Sequence, residues 1–268
     1  MSNDPAEFAQ DGGAPAVLLL HGFTSTPWET RPVAAALARA GFATRSPVLP
    51  GHGSSPDALA KATWEQWLQC ARRELDALIA EHKYVVIAGF SLGALLAITA
   101  GTSRQHSGVI AVIALGAATG LSPLSTKVLA VAERLAGWMP DVRLKKYRGS
   151  DVRDPLAKRL NPAYRVQPLR AARELLKGQR AALASVQELS VPLLVMHGRH
   201  DATVPMSKAL QLVDHARRAP IELRILPQSA HLLGVDVERA QVCDAIVSFV
   251  QRVKHERGID GDQEPARR

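Results

Sequence analysis

The chain alternates between unbroken apolar runs and stretches with helical spacing. Ala16-Val17-Leu18-Leu19-Leu20 carries no polar residue and ends in His21-Gly22-Phe23. A run without alternation points to a strand covered on both faces, as in a parallel sheet. Further strands are expected at 43–49, 84–88, 109–115, 192–196 and 221–226. Between them lie helical patterns at 33–40, closed by Gly41, and at 94–100, 207–216 and 237–253. The clearest helix starts at Thr63. Thr63-Trp64-Glu65-Gln66 fits a capping box, and Trp64, Trp67, Leu68, Ala71, Leu75, Leu78 and Ile79 follow at helical spacing. Strands alternating with helices in this way predict a mostly parallel α/β sheet with crossover helices on both faces.

One segment breaks the rhythm. From 119 to 189 the pattern predicts helices and no strand. Leu124, Val128, Val131, Ala132, Leu135 and Met139 mark one amphipathic helix. Leu169, Ala172, Leu176, Leu183 and Val186 mark one or two more. The expected organisation is therefore a flexible N-terminus over 1–15, a core over 16–118 and 190–253, and a helical insertion over 119–189. A charged, disordered tail is expected over 254–268; Glu7 to Gln10 forms at most a short edge strand.

Length and composition fit this picture. The chain has 268 residues, 47% hydrophobic and 22% charged, which is the balance of an ordinary globular domain and not of a disordered one. Aromatic residues are only 4%, so the core must be aliphatic. The longest apolar stretch, 109–121, is interrupted by glycines and is too short to span a bilayer. The polar start of the chain has no signal-peptide pattern, and Cys70 and Cys243 read as buried thiols. A cytoplasmic location is expected.

The net charge is local. Residues 141–180 hold 12 Lys and Arg against 4 acids, an excess equal to the +8 of the whole chain. Only Tyr147 and Tyr164 in that window offer a surface for stacking on bases, and no zinc-finger or RNA-binding signature accompanies them. No nucleic-acid partner is expected. A solvated basic face is the plain reading; weak attraction to anionic lipid interfaces is the second.

Gly89-Phe90-Ser91-Leu92-Gly93 is a Gly-x-Ser-x-Gly pattern, which roughly one chain in ten of this length carries by chance. Its flanks raise it: the expected strand at 84–88 precedes it and a helix pattern follows. A strand–Ser–helix turn exposes the serine at the C-terminal edge of the sheet, over a helix N-terminus that favours negative charge. A nucleophilic serine needs a base, and the base an orienting carboxylate. His231 follows the last strand, and Asp201 follows the strand at 192–196 within His197-Gly198-Arg199-His200-Asp201. Parallel strands deliver their C-terminal loops to one edge, so Ser91, Asp201 and His231 should converge there.

Together with Leu18-Leu19-Leu20-His21-Gly22-Phe23-Thr24 and Leu49-Pro50-Gly51-His52-Gly53, these segments resemble the serine α/β-hydrolases. The resemblance is to the bacterial carboxylesterase and monoacylglycerol lipase branch, over 16–253. It implies Ser91 as nucleophile, His231 as base, Asp201 as acid and the insertion as a cap. It also points to the backbone N–H groups of Phe23 and Leu92 as the oxyanion hole. The implied activity is hydrolysis of lipophilic carboxylic esters without metal or organic cofactor. Another chemistry of the same fold (thioester, peptide or carbon–carbon bond cleavage) remains open, as does a silent binding module. Two positions depart from the pattern: Ala94 and Ser25 stand where many members carry Gly. His21 and His52 read as packing and bracing residues, and Trp28 either lines the acyl pocket or packs the next helix.

Overall fold

The computed structural model describes residues 4–103, 107–122, 126–127, 142–145 and 149–259. Its centre is a seven-stranded sheet of β1 (Phe8–Gln10), β2 (Gly13–Leu20), β3 (Phe42–Ser46), β4 (Val85–Phe90), β5 (Val109–Leu115), β8 (Leu193–Gly198) and β9 (Ile221–Leu226). The order is β1-β3-β2-β4-β5-β8-β9. Every pair is parallel except the edge pair β1–β3.

The unbroken apolar runs do what a doubly covered strand requires. Successive side chains of β2 point to opposite faces: Ala16, Leu18 and Leu20 join one core cluster, Val17 and Leu19 the other. The first face is covered by α3 (Trp64–His82), α4 (Leu92–Gly101), α6 (Leu169–Ser185) and α7 (Met206–His215), through Trp67, Leu95, Leu175 and Leu212. The second is covered by α1 (Arg31–Arg39) and α8 (Arg239–Glu256), through Leu37 and Phe249. Each fully buried Leu or Phe here contributes about 1.5–3 kcal/mol of transfer free energy. α4 is apolar all round and enclosed by β4, β5 and α6, as such a helix must be. The capping box at Thr63 forms as expected, with Gln66 N–H donating to the Thr63 hydroxyl and Thr63 N–H to the Gln66 side chain.

Three differences from the sequence reading are instructive. β1 falls on the edge strand allowed over 7–10, with Phe8 paired to Ser46, but β2 begins at Gly13, inside the stretch expected to be flexible, where Gly13 pairs with Phe42. The segment expected to be wholly helical contains β6 (Arg143–Lys145) and β7 (Val166–Pro168), paired antiparallel, together with α5 (Pro155–Leu160) and α6. Of the helix expected over 124–139, Thr126 and Lys127 are described and are helical; the rest lies outside the described residues. At the C-terminus α8 runs to Glu256, and Ile259 is buried against the second core cluster, so order extends past 254. Among the described residues no helix is long and apolar enough to cross a membrane.

Candidate active site

Ser91 occupies the turn between β4 and α4 with φ 52° and ψ −107°, a backbone region that costs a non-glycine residue about 1–3 kcal/mol. Two glycines make the turn possible. A Cβ on Gly93 would lie 2.1 Å from Leu20 O, and one on Gly89 would lie 2.1 Å from the Gly93 carbonyl. Strand and helix can thus approach closely only without side chains at those positions. The turn is held by Ser91 N–H donating to Leu115 O (2.9 Å) and by Ala118 N–H donating to Ser91 O (3.4 Å). α4 begins at the next residue, so its first N–H groups, Leu92's among them, have no intrahelical acceptor and face this edge.

His231 reaches the same place. Gly116 follows Leu115, and a Cβ there would sit 3.3 Å from His231 Nδ1. The segment from Leu115 to Ala118 therefore touches both the Ser91 turn and the imidazole. His231 Nδ1 donates to Asp201 Oδ2 at 2.7 Å, since a carboxylate can only accept; this leaves Nε2 as the acceptor of the neutral ring. Asp201 is almost fully buried. Its Oδ1 accepts from Thr203 N–H (2.9 Å) and Val204 N–H (2.7 Å), so one oxygen holds the loop and the other holds the histidine. Burial alone would raise the Asp201 carboxyl and lower the His231 imidazole. The mutual attraction and shared hydrogen bond reverse both, leaving Asp201 below and His231 above their ordinary ranges, with Asp151 and Glu29 adding to the latter.

The turn after β2 lies alongside. Gly22 O accepts from His21 Nδ1 (3.0 Å) and from Ser25 N–H (3.2 Å), and Thr24 O accepts from Tyr164 N–H (2.9 Å). Thr24 itself has φ 64°. These bonds fix the Gly22–Phe23 peptide next to Ser91, whose Cβ would be 3.3 Å from a Cβ on Gly22. His21 is buried, accepts Leu49 N–H on Nε2 (3.0 Å), and is pushed down to about 4 by burial. It is a packing residue, as the sequence suggested. His52 stacks edge-on with His21 and Phe23 and tilts against Trp67, bracing the Pro50 loop. Trp28 packs with Val152, Ala157 and Val235.

Four further residues complete this network; His197 belongs to the His197-Gly198-Arg199-His200-Asp201 segment, but Asp151, Asp236 and Glu29 carried no signal in the sequence. Asp151 accepts Ala202 N–H, Thr203 N–H and the Thr203 hydroxyl on Oδ2, while its carbonyl accepts from His231 and Leu232 N–H. It therefore joins the loop of the acid to the loop of the histidine. Asp236, fully buried, accepts the N–H groups of Arg153, Asp154, Ala230 and Val237. His197 Nε2 stands 3.5 Å from Asp201 Oδ2 and 3.0 Å from Val204 O. Glu29 is the fourth, bonded to Gly22 N–H and to the Ser25 hydroxyl. Asp151 and Asp236 take donors 51 and 83 residues away, whereas the bonds of His197 to Val204 and of Glu29 to Gly22 and Ser25 span seven residues or fewer.

The comparisons agree with this architecture. The chain is 25% identical over 242 residues to a thermostable monoacylglycerol lipase of Bacillus sp. (strain H-257), covering 90% of this chain and 92% of that one. It is 23% identical to a carboxylesterase of Bacillus subtilis (strain 168), covering 93% and 97%. Among solved structures, one associated with LipS and LipT, two metagenome-derived lipolytic enzymes, superposes with a TM-score of 0.83 at 25% identity, over 92% of this chain and 98% of that one. A monoacylglycerol lipase of Paleococcus ferrophilus gives 0.76 at 21% identity, covering 92% and 99%, and supports the fold. The model of the serine aminopeptidase S33 family (Hydrolase_4) matches residues 14–238, and with its mostly parallel, helix-covered sheet the chain belongs to that family of α/β-hydrolases.

Proposed function

We propose that this protein hydrolyses carboxylic esters with a lipophilic acyl group, in the manner of a carboxylesterase or monoacylglycerol lipase, through a Ser91–His231–Asp201 triad. The observation that carries the reading is the 2.7 Å His231–Asp201 bond at the sheet edge where the strained Ser91 turn stands. Ser91 Oγ attacks the ester carbonyl while His231 Nε2 takes its proton. Asp201 fixes the tautomer and stabilises the imidazolium. The carbonyl oxygen gains charge as the tetrahedral intermediate forms, and the N–H groups of Phe23 and Leu92 receive it. His231 then returns the proton to the leaving alcohol. A water deprotonated by His231 releases the acid from the acyl-enzyme. The names of the relatives support a lipophilic ester, monoacylglycerols among them, and the basic segment at 141–180 suits weak association with anionic lipid interfaces.

The test is a fluorophosphonate probe followed by peptide mapping, with p-nitrophenyl esters and monoacylglycerols of graded chain length as substrates. Labelling of Ser91 and turnover that rises with acyl length are expected. Labelling without ester turnover, but with cleavage of a thioester or p-nitroanilide, would move the activity elsewhere within the fold. No labelling and no turnover would remove the hydrolase reading.

A further inference from the structure

Glu29 is 1% exposed and lies in the short 3-10 turn Pro27–Glu29, two residues before α1. Its carboxylate faces back into the turn after β2. Oε1 accepts Gly22 N–H, and Oε2 accepts the Ser25 hydroxyl at 2.7 Å. Ser25 is one of the two positions where the sequence departs from the glycine common in the pattern it resembles, and only a hydroxyl there can make this bond. A Cβ on Gly22 would lie 3.0 Å from Glu29 Oε1 and 3.3 Å from Ser91 Cβ, so the carboxylate, the turn and the nucleophile are neighbours.

We infer that Glu29 is a positioning residue: with Ser25 it clamps the Gly22–Phe23 turn so that Phe23 N–H is set for the oxyanion. The clamp follows from the peptide geometry. Gly22 N–H is bound by Glu29 and Gly22 O by His21 and Ser25, so the peptide planes on either side of Gly22 are fixed from opposite edges. A preorganised donor is effective because it does not reorient when charge develops.

The inference rests on the hydrolase reading, and three variants test it. Glu29→Gln can keep both hydrogen bonds, with its oxygen toward Gly22 N–H and its NH2 toward the Ser25 hydroxyl. As the conservative variant it should recover most of the kcat with p-nitrophenyl butyrate that Glu29→Ala loses. Glu29→Ala removes charge and clamp. Its kcat should fall about 10- to 100-fold with little change in KM, less than the ~10²–10³ for loss of an oxyanion donor. Affinity for a trifluoromethyl ketone, which forms a tetrahedral adduct, should fall in step. Ser25→Ala loses one strand of the clamp and should fall several-fold in the same two readouts.

A folded Glu29→Ala with wild-type kcat and ketone affinity would overturn the clamp, and so would a Glu29→Gln that falls as far as Glu29→Ala. If Glu29→Ala does not fold, Ser25→Ala decides in the same two readouts. Failure of the hydrolase reading looks different: the wild-type enzyme then takes no fluorophosphonate on Ser91.

Discussion

Ser91 combines an unfavourable backbone conformation with the hydroxyl proposed as nucleophile, and the two can be separated by mutation. Ser91→Ala keeps the φ of 52° and removes Oγ, so kcat should drop by roughly 10⁴ or more with the protein still folded. Ser91→Gly is equally inactive but relieves the strain. Relief of about 1–3 kcal/mol exceeds the ~0.4–1 kcal/mol cost of a more flexible unfolded chain, so Tm should rise by about 2–4 °C over Ser91→Ala. A Tm equal to or below that of Ser91→Ala would mean the turn carries no strain. The second residue-scale expectation is the pH profile. A lightly perturbed imidazole titrates in the ordinary range near 6.5, but the carboxylates around His231 raise it. Protonated His231 cannot accept the Ser91 proton. Activity of the free enzyme must therefore be lost on acidification already above that ordinary range, and kcat/KM against pH should show an acid limb with an apparent pKa above about 6.5. A profile flat between about pH 5 and 8 would speak against a histidine base. Cys70 and Cys243 take no part in this chemistry: both are buried, and burial pushes the Cys243 thiol up to about 11.

Elements carry the site as much as residues do, and here legibility in the sequence was uneven. The strands at 109–115 and 221–226, the capping box at Thr63 and the Ser91 turn could be read because their signals are local: unbroken apolarity in the first strand, alternation in the second, a four-residue pattern, paired glycines. β6 and β7 could not, since three-residue strands are too short to show a period and pair only across the insertion. The start of β2 was hidden by Gly13 and Pro15, which read as loop chemistry. Asp151 and Asp236 were invisible for a deeper reason. A loop acid reads as solvated until the fold brings amide donors from about 50 or 80 residues away onto it, as Ala202 and Arg153 are brought here. Asp236 shows what such a node is worth. It ties the segment before α5 to Ala230, the neighbour of His231, through four buried or half-buried N–H groups. Each donor left unsatisfied costs about 1–3 kcal/mol. Asp236→Ala should therefore lower stability by about 3 kcal/mol or more, seen as an earlier denaturant midpoint at similar slope, and should reduce kcat as the histidine loop loosens. Full stability in that variant would show that water or another group replaces the carboxylate without loss.

For the molecule as a whole, the charge is the feature that the fold does not explain. The sheet and its two aliphatic faces need no basic residues, yet the entire +8 excess falls in 141–180. Part of it is spent internally: Arg143 pairs with Asp57 and Lys177 with Glu174. Arg153, Lys158 and Arg159, in contrast, are exposed on and just before α5, beside the exposed Leu156. The same segment is fastened to the site, because Asp151 bonds the loops of Asp201 and His231, and Asp236 holds Arg153 and Asp154 beside them. Basic side chains so close to the triad should draw the protein to an interface that bears acidic lipids. Exposed charges act over about 8–10 Å at ordinary ionic strength and only about 3 Å at 1 M salt, so any such attraction must weaken as salt is added. A small neutral ester diffuses to the site without this help. Raising NaCl from about 50 to about 500 mM should therefore leave kcat/KM for p-nitrophenyl butyrate nearly unchanged, while the rate on a monoacylglycerol in vesicles containing an anionic lipid falls several-fold. Vesicles of neutral lipid should show no such fall. Replacing Arg153, Lys158 and Arg159 together by Gln should remove most of the salt response and leave the soluble ester unaffected. Equal salt responses for the soluble and the vesicle substrate would reduce the basic segment to a solvated face.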